Sequence, residues 1–206
     1  MNWETLIGLD RQFTLWLNGL DQAPPCSLWL LLSDARIWFP AYGVVMAVLI
    51  WKLGWKRGLI VIASLFVTVL LADQLSGLVK HGLERLRPCY DLEMLENGLQ
   101  VPYGKAGGFF GFFSSHAGNC FGFAVASWLG FRWNDPSGKK YRAYGWGVFL
   151  WAALVSLSRV MLAAHFFGDV FVGAIFGLAV GLAVAAVTRW IIARVLPSPS
   201  GFRGNP

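Results

Sequence analysis

The sequence predicts an all-α protein whose helices form a bundle across a membrane. Of its 206 residues, 56% are hydrophobic and only 14% are charged, and the mean hydropathy is +0.56. That composition is typical of a membrane protein and excludes a soluble globular domain. Several apolar runs approach the length that crosses a bilayer, about 20 residues. Eleven Trp and sixteen Phe residues suit the aromatic belts at the two membrane interfaces.

Residues 1–36 are predicted to form N-terminal helices that lie in the membrane interface. The apolar stretch 3–20 is interrupted by charged side chains, so it lacks the continuous apolar core of a signal peptide. A pair of prolines then breaks the chain, and the next apolar run, 27–32, is too short to cross a bilayer. If residues 3–20 insert more deeply, they form an additional span.

Residues 37–196 are predicted to form one transmembrane domain with about five spans, or six if the N-terminal stretch also crosses. Polar links and turn signals separate the apolar runs, and a loop over residues 89–113 separates the second span from the third. Residues 197–206 are rich in Pro, Gly and Ser and are expected to be a disordered cytoplasmic tail. The expected spans are 37–53, 59–79, 116–131, 144–163 and 168–191.

The basic residues indicate how the bundle is oriented. Ten of the seventeen Lys and Arg residues lie in three segments that share one side of a five-span bundle, and Asp135 is the one acid among them. The positive-inside rule makes that side cytoplasmic. The net charge of +6 therefore reflects orientation in a membrane, not binding to nucleic acid. The ten are Lys52, Lys56, Arg57, Arg132, Lys139, Lys140, Arg142, Arg189, Arg194 and Arg203.

The outward face contains the stretch 158–169, where three charged or titratable residues interrupt an apolar sequence. Such residues beside membrane-length apolar segments are costly and by default mark a functional site. If a helix begins near residue 168, His165 and Asp169 face each other one turn apart, and the carboxylate makes the histidine a better nucleophile or base. Arg159 offers a planar fork for phosphate oxygens. The alternative for this stretch alone is a polar patch that holds two transmembrane helices together.

Two other segments should meet that stretch at the outer ends of the spans. Lys80 and Arg87 follow the second span, either as phosphate ligands or as side chains that snorkel to the interface. Ser114, Ser115 and His116 open the third span, where free backbone N–H groups and hydroxyls could bind an anion or where a serine simply caps the helix. Together these segments supply the cations, the helix N-terminus and the two histidines that metal-free phosphoryl transfer requires.

These motifs resemble the three signatures of the type 2 phosphatidic acid phosphatase (PAP2) superfamily, which also includes bacterial acid phosphatases and vanadium haloperoxidases. The resemblance covers residues from about 59 to 190 and implies a transmembrane helical bundle of the PAP2/haloperoxidase type. The first and third signatures match in residue type and spacing, whereas the second has Phe-Ser-Ser-His where the family usually has Pro-Ser-Gly-His. The segments are Lys80-x6-Arg87-Pro88, Phe113-Ser114-Ser115-His116 and Ser158-Arg159-x5-His165-x3-Asp169.

The resemblance implies a role for each of these residues. His165 would be the nucleophile that forms a phosphohistidine, Asp169 would orient it, and His116 would protonate the leaving group. Ser115, in the place of the usual glycine, keeps its backbone N–H for the phosphate and either narrows the pocket or adds a hydroxyl contact. No metal or other cofactor is implied. The phosphate would be bound by Lys80, Arg87, Ser114, Ser115 and Arg159.

The function implied by the resemblance is that of an integral membrane lipid phosphatase at the outer face of a bacterial inner membrane. Its substrate would be undecaprenyl diphosphate, phosphatidylglycerol phosphate, phosphatidate or lipid A phosphate, with the first as the leading expectation. A phosphotransferase of the same fold and a non-enzymatic lipid or anion transporter stay open as alternatives. The regular spacing of histidines and cations disfavours the transporter. A haloperoxidase is disfavoured because such relatives are soluble.

No partner is predicted beyond the lipid substrate and the bilayer, and no oligomeric state is specified.

The three cysteines show no metal-ligand spacing. Cys120 lies in an apolar stretch and is expected to be inert. Cys26 and Cys89 could share a compartment and form a disulfide, although nothing in the sequence requires it. The third histidine, His81, matches no motif and is predicted to lie at the surface.

Overall fold

The computed structural model of the chain describes residues 2–20, 26–102, 104, 108–133, 135 and 137–196, apart from the side chains of residues 26 and 27. Within this part the fold is all-α, as predicted, and short 3-10 helices at Ala35–Trp38 and Pro88–Tyr90 supplement the α-helices. The expected tail, 197–206, lies outside the described residues. The helices are α1 Trp3–Gly19, α2 Cys26–Ser33, α3 Phe39–Leu53, α4 Trp55–Leu83, α5 Leu92–Glu96, α6 Ser115–Arg132, α7 Arg142–Met161 and α8 Phe167–Val195.

Four of the described helical segments are long and apolar enough to cross a membrane: Ala35–Leu53, Trp55–Leu83, Arg142–Met161 and Phe167–Val195. They correspond to the first, second, fourth and fifth expected spans. The expected third span is helix α6, which has 18 residues and packs at the centre of the bundle between α4, α7 and α8. Since neighbouring helices cover it, α6 needs less apolar surface than the helices around it, and its crossing of the membrane stays a prediction.

The outer surfaces of the long helices carry large apolar side chains. A soluble protein of this size rarely exposes so much contiguous apolar surface, whereas a bilayer solvates it. The protein is therefore an integral membrane protein with a helical bundle. Examples of these exposed side chains are Phe66, Leu70 and Leu78 on α4, Trp146 and Leu150 on α7, and Ile175, Leu182 and Trp190 on α8.

Glycines bring helices α6 and α8 into backbone contact. A Cβ atom at Gly177 would lie only 2.1 Å from the carbonyl oxygen of Gly118, and one at Gly181 would lie 2.7 Å from that of Gly122. Small residues four apart on both helices permit this approach, as in other membrane helix pairs. This close packing fixes the start of α6 against the start of α8.

Replacing Gly177 with alanine is therefore expected to destabilise the folded bundle by about 1–3 kcal/mol or more, since about 1–3 kcal/mol is the usual cost of overpacking. The matched control is Gly147→Ala on α7, where an added Cβ meets nothing within 4 Å. Thermal unfolding of both variants in detergent would measure the difference. Equal midpoints for Gly177→Ala and Gly147→Ala would contradict this account of the α6–α8 contact.

The N-terminal region forms the expected helix, and α1 packs against α7 and α8. Its opposite side exposes apolar residues such as Trp3, Leu6 and Trp16, which agrees with the predicted interfacial position without testing it. The expectation of a loop throughout residues 89–113 was wrong, because α5 forms there. The Asp91 side chain accepts a hydrogen bond from the backbone N–H of Glu93 (3.1 Å) and caps that short helix.

The cysteines that the structure describes are free thiols. Cys120 is buried in the main apolar cluster with Leu49, Val61 and Phe123, as its apolar setting predicts. Cys89 is fully buried near the site described below. Because the Cys89 thiol is free, the structure does not contain the possible disulfide between Cys26 and Cys89. The Cys26 side chain itself lies outside the described residues.

Candidate active site

The eight residues singled out by the sequence lie at the end of the bundle where α4 ends and where α6 and α8 begin. Two short segments cross there: the backbone N–H of Arg87 donates to the Phe109 carbonyl (2.9 Å), and that of Gly111 donates to the Arg85 carbonyl (2.8 Å). The backbone N–H of Ser114 donates to the Asp169 carbonyl (3.0 Å). These bonds join the three motif segments into one framework.

The loop between α7 and α8 places His165 deep inside this framework. After α7 the chain turns back on itself, so the Arg159 carbonyl accepts the N–H groups of both Ala164 (2.9 Å) and His165 (3.1 Å). Ala163 adopts the left-handed conformation (φ 53°) that commonly ends a helix. The His165 side chain is only 1% exposed. The turn therefore holds Arg159 and His165 close together at the base of a pocket.

The hydrogen bonds of Arg87 define the tautomer of His165. One guanidinium nitrogen of Arg87 lies 3.0 Å from His165 Nε2 and also donates to the Ala164 carbonyl (2.9 Å). Arginine can only donate, so Nε2 accepts and Nδ1 carries the proton. Nδ1 faces Asp169 Oδ2 at 3.5 Å. This arrangement leaves Nε2 as the ring atom with a lone pair, directed at Arg87. Arg87 and the neighbouring cations Lys80 and Arg159 form what we call the cationic pocket.

Burial, followed by the charges of Arg87, Arg159 and Lys80, lowers the pKa of His165 well below its ordinary value. The unfolded chain then binds a proton here that the folded protein does not, so this group makes stability fall as the pH drops below about 6.5. His165→Gln is expected to lose less stability on acidification than the wild type, by up to about 1.4 kcal/mol per pH unit.

Unfolding midpoints between pH 7.5 and 5 would measure this slope. His81→Gln is the control, because His81 is exposed, as predicted. A wild-type slope equal to that of His165→Gln would show that His165 does not resist protonation in the fold.

Asp169 is fully buried and its two carboxylate oxygens have different partners. Oδ1 accepts from Arg85 Nη1 (2.6 Å), and Oδ2 accepts from the backbone N–H of Phe166 (3.2 Å) on the side of His165. Arg85 also binds Asp10 of helix α1 through Nη2 (2.7 Å). Sequence reasoning missed both Arg85 and Asp10. In the sequence, both stand out only as charged residues in or beside apolar stretches. Nothing in that pattern indicates that the two side chains contact each other.

The remaining predicted phosphate ligands lie at the same end of the bundle and have identified partners there. Lys80 Nζ donates to Ser115 Oγ (3.1 Å), so the serine that replaces the usual glycine adds a hydroxyl contact. Ser114 is the N-cap of α6 and accepts from the Ala117 N–H (3.4 Å). Arg159 donates through Nη1 to the hydroxyl of Ser33 at the end of α2. The sequence did not anticipate that contact.

His116 joins this cationic pocket to an apolar cleft. It lies close enough to Lys80, Arg87, Arg159 and His165 for their charges to act on it. The cleft has a volume of about 520 Å³, and its walls come mainly from α3, α4 and α6, with smaller contributions from the end of α2, the 3-10 helix that follows it and α7. Its lining residues Phe39 and Phe66 are 62% and 61% exposed, so the cleft opens toward the lipid-facing surface. The predicted acid of the reaction thus stands between charged and apolar surroundings.

Known proteins place this chain in a family. The model of the PAP2 superfamily matches residues 57–193, which is more than half of the chain and includes all three motifs. The chain belongs to the PAP2 superfamily. A lipid A 4'-phosphatase of Bacteroides thetaiotaomicron is 30% identical over 175 residues, covering 84% of this chain and 74% of the relative. A lipid A 4'-phosphatase of Porphyromonas gingivalis is 29% identical over 203 residues, covering 96% and 82%.

The PAP2 fold is also found in a solved structure. The transmembrane PAP2 type phosphatidylglycerolphosphate phosphatase from Bacillus subtilis superposes with a TM-score of 0.70, covering 91% of this chain and 88% of that one. At 19% identity, this likeness shows the fold alone. The family match and the two phosphatase relatives identify the protein as a membrane phosphatase of the PAP2 type. Helices α1 to α3 precede the residues that the family model matches.

Proposed function

We propose that this PAP2 protein hydrolyses a lipid phosphate monoester through a phosphohistidine at His165. The observation that carries the proposal is the junction at His116, where a pocket with three cations meets an apolar cleft that opens toward lipid. A phosphate bound among the cations would leave its lipid-bearing oxygen at His116. Apolar parts of the leaving group would then have the cleft beside them.

Substrate binding would use the charged and helix-terminal groups of the pocket. Lys80, Arg87 and Arg159 neutralise the phosphate dianion, the N-terminus of α6 supplies the backbone N–H of Ser115, and the Ser114 hydroxyl can donate as well. Arg87 now donates to His165 Nε2, so the incoming phosphate must draw this guanidinium onto one of its own oxygens. Binding would thereby release the lone pair of the nucleophile.

In the first chemical step, the lone pair on His165 Nε2 attacks phosphorus. The N–P bond forms as the bond from phosphorus to the lipid oxygen breaks. His116, protonated once the phosphate dianion is bound beside it, gives its proton to the departing oxygen. The imidazole ring becomes cationic, and Asp169 stabilises it across the Nδ1–H. Lys80, Arg87 and Arg159 stabilise the charge on the equatorial phosphate oxygens in the transition state.

In the second step, water attacks the phosphohistidine. His116, now neutral, takes a proton from this water as its oxygen bonds to phosphorus, and the N–P bond breaks. Inorganic phosphate leaves, and both histidines return to their initial protonation states. His116 thus acts as the general acid in the first step and as the general base in the second, as is usual in two-step hydrolysis.

Among lipid phosphates, a lipid A phosphate is the substrate that we favour. Support comes from two relatives of about 30% identity over most of the chain, both of which are lipid A 4'-phosphatases. We therefore propose lipid A phosphate ahead of undecaprenyl diphosphate, which was the leading expectation from the sequence. We also propose that the site faces the periplasm, because the basic turn at Lys56 and Arg57 lies beside the C-terminal end of α8, at the far end of the bundle from the site.

The direct test is phosphate release by the purified protein in detergent with EDTA present. The panel would hold lipid A 4'-phosphate, phosphatidylglycerol phosphate, phosphatidate, undecaprenyl diphosphate and a water-soluble sugar phosphate. Release is expected from lipid A phosphate first, to be blocked by vanadate and to survive EDTA. Among the described residues, no group of three or more His, Cys, Asp or Glu side chains is placed to hold a metal ion.

Other outcomes of the same assay would contradict the proposal. Transfer of labelled phosphate to an acceptor lipid with little free phosphate would identify a phosphotransferase. Loss of release with EDTA would contradict the metal-free mechanism. No release from any lipid would reject hydrolysis by this site.

A further inference from the structure

Helix α1 turns a stripe of polar side chains toward the loop that carries His165. Asp10, Thr14 and Asn18 lie four residues apart on one face, and Thr14 and Asn18 are 0% and 3% exposed. The backbone N–H of Gly168 donates to Asp10 Oδ1 (2.7 Å), and that of Phe167 donates to Thr14 Oγ1 (3.0 Å). Asn18 Nδ2 donates to a carbonyl at the C-terminal end of α7 (3.0 Å).

These contacts satisfy backbone groups that helix ends leave free. The first N–H groups of α8 and the last carbonyls of α7 have no partner within their own helices. Side chains of α1 supply partners to both, so α1 caps the two helices that flank the His165 loop. Asp10 is the charged member of the stripe, and a carboxylate at the positive N-terminal end of a helix is electrostatically favourable.

Arg85 extends the contact from Asp10 to Asp169. One arm of its planar fork donates to Asp169 Oδ1 (2.6 Å) and the other to Asp10 Oδ2 (2.7 Å). The guanidinium carbon lies 4.2 Å from the centre of the Phe166 ring, which fixes the plane of the fork. Asp10 therefore reaches the carboxylate beside the nucleophile through a single intervening side chain.

We propose that Asp10 is a positioning residue for the reaction of His165, acting through Arg85 and Asp169. The inference rests on the phosphohistidine mechanism proposed above. Asp10 lies outside the residues that the PAP2 model matches, so the role belongs to the N-terminal helix of this chain.

The division of the Arg85 fork explains why Asp10 matters. An arginine with one carboxylate partner tends to bind both of its oxygens in a bidentate pair. Because Asp10 occupies the second arm, Asp169 gives only Oδ1 to Arg85, and Oδ2 stays directed at Phe166 N–H and His165 Nδ1. Without the Asp10 charge, Arg85 would turn onto Asp169 and draw Oδ2 away from the histidine.

Asp10→Asn tests this arrangement with little change in shape. We expect kcat for lipid phosphate to fall about 10- to 100-fold, by analogy with the loss seen when partners that orient metal-binding histidines are removed, while KM changes less than about twofold. Arg85→Lys should lose a similar amount, because one ammonium cannot span two carboxylates as the fork does. The double variant should lose little more than either single variant, since both changes break one coupled unit.

Arg11→Gln is the matched control on the same helix. Arg11 pairs with Asp91 (2.7 Å) and Glu93, so its removal also breaks a tether of α1, but neither partner is among the residues assigned to the reaction. Its kcat should stay within about twofold of the wild type. The unfolding midpoints of Asp10→Asn and Arg11→Gln would also be measured. If the two variants are equally stable, a lower kcat in Asp10→Asn cannot be attributed to loss of folded protein.

Clear results would overturn the inference. If Asp10→Asn and Arg11→Gln have the same kcat, the positioning role of Asp10 is rejected. The proposed function would still stand, because phosphate release by the wild type is measured in parallel. A wild type that releases no phosphate would overturn both. If Asp10→Asn folds poorly, Gly168→Ala serves instead, since its Cβ would lie 2.8 Å from Asp10 Oδ2 and displace the carboxylate. An unchanged kcat in Gly168→Ala would equally reject the positioning role.

Discussion

Replacing His165 with alanine is expected to abolish phosphate release, lowering kcat by on the order of 10⁴-fold or more. In the proposed mechanism this change removes the nitrogen that bonds to phosphorus, so water would have to displace the lipid directly. His165 is buried beside Arg87, and its removal also leaves cationic groups of the pocket without a neutral acceptor. His165→Gln should fail equally, although it fills more of the space.

Labelled substrate and a rapid quench would detect the intermediate. Wild-type protein should carry a phosphoryl group that is stable in base and lost in acid, as phosphohistidine is, and both His165 variants should carry none. His81→Ala is the control, because this exposed histidine lies outside the pocket. Protection from thermal unfolding by inorganic phosphate should persist in His165→Gln. A labelled phosphoenzyme in His165→Ala would exclude His165 as the nucleophile.

The transmembrane helices were predictable because their signals are local. Apolar run length and the placement of basic residues locate α3, α4, α7 and α8 without knowledge of their neighbours. The central helix α6 was predicted from its apolar run, although its composition alone falls short of a typical span. The short helix α5 was missed, since five residues contain too little periodicity to predict a helix.

In the candidate active site, too, contacts between residues close in sequence could be predicted and contacts between distant residues could not. His165 and Asp169 could be paired from sequence, because four residues separate them at the start of a helix. Arg85 and Asp10 lie 75 residues apart, and Ser33 and Arg159 lie 126 apart. No local pattern encodes such contacts, and they depend on how α1 and α2 fold back over the bundle. Motif residues can thus be predicted from sequence, whereas the residues that hold them require the structure.

Ser115 shows how the structure explains a departure from a family pattern. Its side chain accepts a hydrogen bond from Lys80 (3.1 Å), and its backbone lies in the first turn of α6. The substitution of the usual glycine therefore adds a polar contact to a cation of the pocket. The backbone N–H at this position is retained, so the proposed phosphate contact of the helix N-terminus does not depend on glycine.

Replacing His116 with glutamine is expected to lower kcat for lipid phosphate by about 10²- to 10⁴-fold, the usual contribution of a general acid. A lipid alkoxide is a poor leaving group and needs the proton. p-Nitrophenolate leaves without one, so the first step with p-nitrophenyl phosphate should be nearly unaffected. The position of His116 at the head of the apolar cleft motivates this difference, since the proposal places the lipid oxygen there.

The two steps can be separated by following p-nitrophenol in time. With His116→Gln we expect a burst of about one p-nitrophenol per active site and then slow turnover, because water still needs a base to attack the phosphohistidine. The phosphoenzyme should accumulate in this variant and be absent from the double variant that also lacks His165. If His116→Gln loses the same factor on both substrates without a burst, His116 acts in phosphate binding and not in proton transfer. The acid would then have to be sought elsewhere along the cleft, where the Tyr42 hydroxyl is one lining group that carries a proton.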